Sequence, residues 1–236
     1  MSKFIYRNKG SKDNIVISIA GAHGVGKTTV FNLFKLYVKD NNKFKFYPER
    51  YVKKPPFPFG SLNKQISFRS ELHFLQQFIR RNQNIVNFDN RYNGRIIILD
   101  RTPLCVLVYS KSLNLKEKDF ELILDTYNSI IWKEDYIIYL SAKPDTIMKR
   151  IIQRGSLEKI RKEWNEEDKD YLLTIISYYN QFLSNKEGVF MIDTDKLNPE
   201  DVIEKLKEII TQISGYSFMK HEKSISTQMN LLKFLK

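Results

Sequence analysis

Cysteine is nearly missing from this 236-residue sequence, which contains one, Cys105. A single cysteine cannot form a disulfide within the chain, and no second cysteine stands near it to complete a zinc site. No apolar run approaches the ~20 residues that a membrane-spanning helix needs. The first residues are basic but carry no apolar segment of the secretory type. We therefore expect a soluble, cytoplasmic protein without a membrane partner.

Proline and glycine are also scarce, at 7 and 9 residues, and the sequence shows no internal repeat and no low-complexity linker. The length suits one α/β domain with a sizeable core. We expect this domain to span residues 1–215 and to be followed by a basic, helical extension over 216–236. Helical spacing in the extension is shown by Ile225, Met229, Leu232 and Leu235.

Acidic residues are outnumbered by basic ones, which gives a net charge of +12. This excess favours anionic partners, and by itself it leaves phosphorylated small molecules, nucleic acid and anionic membranes open. The basic residues are spread along the chain, which is typical of a solvated basic surface.

Short apolar runs alternate along the chain with longer amphipathic stretches. The apolar runs predict strands over 15–20, 44–47, 95–100, 136–140 and 189–193. Helical spacing predicts helices over 26–39, 66–88, 104–112, 117–132, 144–153, 168–184 and 199–213. Parallel strands need crossover connections, so the alternation predicts a three-layer α/β fold with a mainly parallel five-stranded sheet and helices on both faces.

A phosphate-binding motif lies between the first predicted strand and the first predicted helix. Residues 21–28 read Gly-Ala-His-Gly-Val-Gly-Lys-Thr and match G-x-x-x-x-G-K-[ST], the P-loop. In such a loop the backbone N–H groups surround phosphate oxygens, Lys27 reaches the β- and γ-phosphates, and the Thr28 hydroxyl holds Mg²⁺. The motif predicts a P-loop NTPase fold that binds ATP and Mg²⁺. The predicted nucleotide-binding residues are Gly21, Ala22, His23, Gly24, Val25, Gly26, Lys27, Thr28 and Thr29.

Charged residues follow two other strands, at the sheet edge where α/β proteins bind ligands. Glu49 follows the second strand, which we expect beside the P-loop strand, and it is placed to act on a phosphoryl acceptor. Asp100 ends the third strand in the position of a second Mg²⁺ ligand, with Arg101 beside it. A structural ion pair is the alternative for each.

Arg150 and Arg154 are four residues apart and therefore share one face of a predicted helix. Gly155 is expected to end this helix. Two arginines at this place indicate a lid near 150–165 that closes over phosphates. A solvated charged face would show the same spacing.

Together these motifs resemble the deoxynucleoside kinase family, within the group that includes thymidylate kinases, in motif order over about residues 14–195. The segment Arg150-x-x-x-Arg154-Gly155-x-x-Glu158 resembles the family's R-x-x-x-R-G-x-x-E, and residues 171–183 resemble the helix that follows it. The resemblance implies that Glu49 is the general base on the acceptor 5′-hydroxyl and that Arg101 holds that hydroxyl region and the phosphates. It implies that Arg150 and Arg154 clamp the transferring group, and that Glu158 contacts the substrate.

The acceptor pocket departs from the family pattern. Ala20 stands before the P-loop where family members usually carry Glu. In the long helix, Glu71 and Arg80 resemble the Glu and Arg of thymidylate kinases, one residue out of register, and we take them as substrate-binding residues. The sequence leaves the base and the sugar of the acceptor open.

Three functions therefore remain. The leading one is ATP-dependent phosphorylation of a (deoxy)nucleoside at its 5′-hydroxyl by a possible homodimer. The second is a monophosphate kinase of the thymidylate type, for which Arg69, Arg80 and Arg81 offer cations. The third is a P-loop ATPase or nucleotide-dependent switch, with nucleic acid as a partner that the charge does not exclude. A guanine-specific switch is disfavoured because residues 185–188, Asn-Lys-Glu-Gly, lack the Asp of Asn-Lys-x-Asp.

Overall fold

A computed structural model describes residues 13–49, 61, 63–153 and 165–218. The strands within these ranges are β1 (Ile15–Ala20), β2 (Phe44–Tyr47), β3 (Ile96–Asp100), β4 (Tyr136–Ser141) and β5 (Val189–Asp193). The helices are α1 (Lys27–Tyr37), α2 (Lys64–Asp89), α3 (Cys105–Ser112), α4 (Glu117–Ser129), α5 (Pro144–Gln153), α6 (Lys169–Leu183) and α7 (Pro199–Ser214). None of the described helices is long and apolar enough to cross a membrane.

The five strands form one sheet in the order β2-β3-β1-β4-β5, and every neighbouring pair is parallel. The predicted strands are confirmed to within one residue at each end. The expected position of the second strand is wrong, because β3 lies between β1 and β2. Alternating apolar runs locate strands but do not encode their lateral order, which depends on how the connecting helices cross the sheet.

Helices cover both faces of the sheet, which confirms the three-layer prediction. Ile96 and Ile98 of β3 belong to the same apolar cluster as α1, whereas Ile97 and Leu99 pack with Ile85 of α2 on the opposite face. Helices α1 and α7 pack against each other, and α3 packs against α2, α4 and α6. The P-loop and the carboxyl ends of β2 and β3 therefore meet at one edge of the buried sheet.

Polar caps fix where several helices begin. The side chain of Asn63 accepts hydrogen bonds from the backbone N–H groups at the start of α2, and Asp168 does the same for α6. Asn198 and Asp201 cap α7 reciprocally. Helix α4 is shorter than the predicted 117–132, because the backbone at Ile130 is extended, with φ −96° and ψ 131°.

The residues after α7 return to the core. Gly215 ends α7 with φ 68°, and the Tyr216 and Phe218 rings then contact the Phe44 ring, with centroids 5.2 and 5.8 Å away. Asn41 donates a hydrogen bond of 2.6 Å to the Tyr216 hydroxyl. The first residues of the predicted extension are thus packed on the domain, and its predicted helix over 225–235 lies outside the described residues.

Candidate active site

The P-loop turns from β1 into α1 through positions where a side chain would not fit. Gly21 has φ 142°, and a Cβ there would lie 2.5 Å from the Leu140 carbonyl oxygen. Gly24 has φ 77°, and a Cβ there would meet Ile147 and Ile151 of α5 at 2.7 to 2.9 Å. Glycine is therefore required for the left-handed backbone and for the close approach of α5.

Lys27, the first residue of α1, is folded into the loop that precedes it. Its ammonium group donates hydrogen bonds to the carbonyl oxygens of Gly21 and Ala22 at 2.9 and 2.8 Å. Burial, with Arg101 as the second cause, lowers the pKa of Lys27 from 10.5 to about 7. A buried cation in a phosphate-binding loop is poorly compensated until an anion enters.

Thr28 and Asp100 face each other across the bottom of the loop. The Thr28 hydroxyl donates to Asp100 Oδ2 at 3.2 Å, while Asp100 Oδ1 is buried and has no hydrogen-bond partner among the described residues. Burial, and next the neighbouring Glu49 carboxylate, raises the pKa of Asp100 above its usual value. The structure therefore brings together the two predicted metal ligands.

Glu49 and Arg101 form an ion pair at the carboxyl ends of β2 and β3, with 2.7 Å between Arg101 Nε and Glu49 Oε1. Strand β3 lies between β2 and β1, and Arg101 directly follows it. The ion pair with Arg101 therefore links Glu49, at the end of β2, to the edge of the sheet that carries the P-loop. Both line a cavity of about 580 Å³ that Lys27, Thr28 and Asp100 also line. A phosphate-binding loop and an acid–arginine pair thus share one space.

His23 contributes a side chain from the loop to the wall of the same cavity. Its ring stacks against Tyr171 of α6 with centroids 6.0 Å apart, and its Nε2 lies 3.3 Å from the Glu166 carbonyl oxygen. The P-loop is therefore joined to the segment that leads into α6. Sequence reasoning assigned His23 only as a member of the loop and did not find Tyr171.

Arg150 lines a second cavity of about 250 Å³, to which the P-loop residues Gly24 and Gly26 also contribute. Its guanidinium donates to Thr194 Oγ1 at 3.0 Å, to the Thr194 carbonyl oxygen at 2.6 Å and to the Val25 carbonyl oxygen at 3.2 Å. These bonds tie it to the loop after β5. The structure therefore does not bring Arg150 to the Glu49–Arg101 pair. The other predicted lid residues, Arg154 and Glu158, lie outside the described residues.

Helix α2 presents Glu71 and Arg81 to the interior, at 4% and 1% exposure, whereas Arg80 is exposed. Successive helix residues are rotated by about 100°, so adjacent positions face different surroundings. Arg80, the predicted substrate-binding residue, therefore faces solvent, and its neighbour Arg81 is the arginine of α2 that faces the interior. The apolar stripe of α2 was the available signal, because Arg81 follows Phe78 by three residues and precedes Ile85 by four.

Glu71 is held in its neutral form near neutral pH. Burial raises its pKa from 4.5 to about 8, against the opposing effect of Arg101. That arginine is already paired with Glu49. The buried hydroxyl of Tyr109 has no hydrogen-bond partner among the described residues, and the Tyr109 ring lies 5.9 Å from the Arg101 guanidinium. A polar surface with unused hydrogen-bonding capacity therefore lies beside the ion pair.

We expect Glu71→Gln to flatten the pH dependence of stability. Between pH 4.5 and about 8 the folded chain keeps a proton on Glu71 that the unfolded chain loses, so wild-type stability falls as pH rises through this window. Glutamine carries no such proton, and the variant should gain on the order of a few kcal/mol over wild type at the alkaline end. Denaturant unfolding near both ends of the window measures this, with exposed Glu208→Gln as the control. A difference in stability that does not change with pH would contradict the neutral Glu71.

Comparison with known proteins agrees with this geometry. The chain matches the family described as deoxynucleoside kinase over residues 17–216. It is similar to the structure of deoxyadenosine kinase from M. mycoides with dCMP and dCDP bound, at 21% identity and a TM-score of 0.67, over 84% of this chain and 100% of that one. The same enzyme with bound dATP gives 22% identity and a TM-score of 0.64, with the same coverage. These similarities show a shared fold.

A protein of Pyrococcus furiosus named "Putative adenylate kinase" is 32% identical over 98 residues, which are 40% of this chain and 51% of that protein. The chain thus spans about half the length of this curated relative. The family match is far longer, covers both the P-loop and the Glu49–Arg101 pair, and ends beyond α7. The chain therefore belongs to the deoxynucleoside kinase family.

Proposed function

We propose that this nucleoside kinase transfers the terminal phosphoryl group of ATP to the 5′-hydroxyl of a deoxynucleoside, with Glu49 as the general base. The observation that carries the proposal is the ion pair of Glu49 and Arg101 in the cavity that Lys27 also lines. The carboxylate accepts the proton of the attacking hydroxyl, and Arg101 holds that carboxylate in place. Lys27 and Arg101 supply positive charge to the phosphoryl oxygens during transfer.

The donor nucleotide occupies both cavities in this proposal. Its phosphates lie in the P-loop, whose amides and helix N-terminus favour anions. Its base enters the second cavity, which is lined by Arg150 and by the apolar side chains of Val30, Leu197 and Val202. This assigns Arg150 to the base end of the donor. The similar M. mycoides enzyme has been solved with dATP bound, which supports a purine nucleotide as a ligand of this fold.

Mg²⁺ fits the residues at the bottom of the loop. Thr28 and Asp100 offer hard oxygen ligands, and the buried Asp100 Oδ1 has no hydrogen-bond partner among the described residues. Mg²⁺ is usually held by one or two such groups together with phosphate oxygens, so a closed cluster of ligands is not needed. No group of three His, Cys, Asp or Glu side chains suited to a metal occurs in the described part of the chain. When bound, the ion neutralises charge on the phosphates.

An uncharged acceptor suits the pocket better than a monophosphate. Of the three arginines of α2 that could hold an acceptor phosphate, Arg69 and Arg80 are exposed. The third, Arg81, donates to the carbonyl oxygens of Asp100 and Arg101. Arg101 itself is paired with Glu49. These arrangements favour a nucleoside over the thymidylate-type alternative.

The neutral Glu71 carboxyl is the group we propose to contact the acceptor base. A protonated carboxyl offers one hydrogen-bond donor beside one acceptor. Adenine presents N1 as an acceptor beside its amino donor, and cytosine presents N3 beside its amino donor, so this carboxyl can make a paired contact with either base. The similar deoxyadenosine kinase of M. mycoides, solved with dCMP and dCDP bound, supports an acceptor with such an edge.

Assays with purified protein and Mg²⁺-ATP test the proposal. We expect phosphorylation of deoxyadenosine and deoxycytidine, and no turnover of dTMP or dAMP. Phosphorylation of dTMP without any nucleoside activity would overturn the nucleoside assignment.

An assay with oligonucleotides distinguishes the proposed kinase from an ATPase that acts on nucleic acid. An ATPase that acts on nucleic acid should bind single-stranded oligonucleotides with an affinity that falls steeply as salt increases, because binding releases counterions. We expect ATP hydrolysis without acceptor to stay slow and oligonucleotides to leave it unchanged. Stimulation of hydrolysis by oligonucleotides, with no nucleoside product, would favour the alternative. Light scattering on the same preparation tests the homodimer.

A further inference from the structure

The backbone directly after β3 is strained at one position, Arg101. Arg101 has φ 67°, in the left-handed region that residues with a Cβ rarely adopt. Its N–H donates to the Ile19 carbonyl oxygen at 3.0 Å, which ties it to β1. This conformation turns the chain directly after β3 and so determines where the Arg101 side chain begins. A strained backbone conformation in an active site persists only when surrounding contacts stabilise it.

Arg81 is bonded to this turn and is 1% exposed. Its Nη1 donates to the Asp100 carbonyl oxygen and its Nη2 to the Arg101 carbonyl oxygen, both at 2.7 Å. The two acceptors are consecutive in the chain, so one planar guanidinium bridges the peptide unit between them. A guanidinium is suited to this because its donors form a fixed fork. The Phe78 ring, 4.7 Å from Arg81 Cζ, supports one side of the group.

We infer that Arg81 is a positioning residue that fixes the turn at Asp100–Arg101 and thereby sets the directions of the Asp100 carboxylate and the Arg101 guanidinium. The inference rests on the proposed function, because it gives these two groups their roles. The Asp100 carboxylate accepts a hydrogen bond from Thr28, and the Arg101 guanidinium forms the ion pair with Glu49. Both side chains are attached to the backbone segment that Arg81 binds. Arg81 acts through this segment and does not contact the reacting groups.

Two substitutions of Arg81 test the inference. Arg81→Met keeps the length of the stem and removes the donors, and Arg81→Lys keeps the charge but loses the fork. We expect kcat to fall about 100-fold in Arg81→Met, since small displacements of catalytic groups have effects of this size, and to fall less in Arg81→Lys. The KM for ATP and for the nucleoside should stay within about twofold in both, because the contacts that bind them remain.

The control is Arg91→Met, the same change at an exposed residue just beyond the end of α2. Circular dichroism and the affinity for ATP without acceptor establish that each variant is folded, and Arg81→Lys keeps the test open if Arg81→Met unfolds. A crystal structure of either folded variant should show Arg101 relaxed from positive φ. A purely structural role would lower stability without the separation of kcat from KM.

The outcomes separate this inference from the proposed function. If the wild-type protein phosphorylates nucleosides and a folded Arg81 variant has the same kcat, the positioning role is overturned and the kinase assignment stands. A higher KM for the nucleoside with unchanged kcat would assign Arg81 to acceptor binding and would also overturn it. Absence of nucleoside phosphorylation in the wild-type protein would instead refute the proposed function.

Discussion

Lys27→Ala should lose nearly all phosphoryl transfer while the fold is retained. In the proposed function the Lys27 ammonium group stabilises charge on the donor phosphates, and charge stabilisation of this kind is worth about 10² to 10³ in kcat for a single donor. Arg101 does not take over the position of Lys27, because its ion pair with Glu49 at 2.7 Å holds it at the end of β3. Steady-state rates with saturating ATP and deoxynucleoside give the measurement. The matched control is Lys35→Ala, an exposed lysine of the same helix.

The same substitution should not destabilise the protein. Burial lowers the pKa of Lys27 from 10.5 to about 7, so in this window the unfolded chain binds a proton that the folded chain has lost. Wild-type stability therefore rises as pH increases from about 7 towards 10.5, and the variant should lack this rise. Denaturant unfolding at both ends of the window measures it. Near-normal turnover in a folded Lys27→Ala protein would contradict the proposed role.

The fold could be predicted because each strand is a nearly continuous apolar run. Ile97 and Ile98 are both fully buried although they point to opposite faces, as expected for a sheet that helices cover on both sides. Such runs give the positions of the strands directly. They do not give the order of the strands, which is why β3 was not expected between β1 and β2.

The candidate site was predictable where a motif fixes local geometry and less so where tertiary packing decides. The P-loop, Thr28 with Asp100, and Glu49 with Arg101 follow from residues at strand ends, and the structure brings them together. The position of Arg150 was not predictable, because its partner Thr194 is 44 residues away in sequence.

Arg81 shows a second limit of sequence reasoning. The resemblance to thymidylate kinases drew attention to Arg80, which is exposed, and not to Arg81, which lies in the buried stripe of α2. The apolar stripe reports which residues are buried, whereas an alignment to another family can be shifted by one residue. A polar residue within an apolar stripe therefore indicates a buried partner, which here is the turn after β3.

Glu49→Gln should separate chemistry from binding in this enzyme. Glutamine keeps the shape of the side chain and an oxygen that can accept from Arg101, but it cannot take up the proton of the 5′-hydroxyl. We expect kcat to fall by about 10² to 10⁴, the usual contribution of a general base, and the KM for ATP and nucleoside to change little. Single-turnover measurements with enzyme in excess over ATP show whether the transfer step itself is slowed.

Two further variants sharpen this test. Glu49→Asp keeps the carboxylate but shortens its reach, so its kcat should lie between those of wild type and Glu49→Gln if proton removal is the function. Glu208→Gln, at an exposed position of α7, is the control for the change from acid to amide. A Glu49→Gln protein with wild-type kcat and a raised nucleoside KM would make Glu49 a binding residue. The Glu49–Arg101 pair would then hold the acceptor hydroxyl in place, and the proton would have to leave by another route.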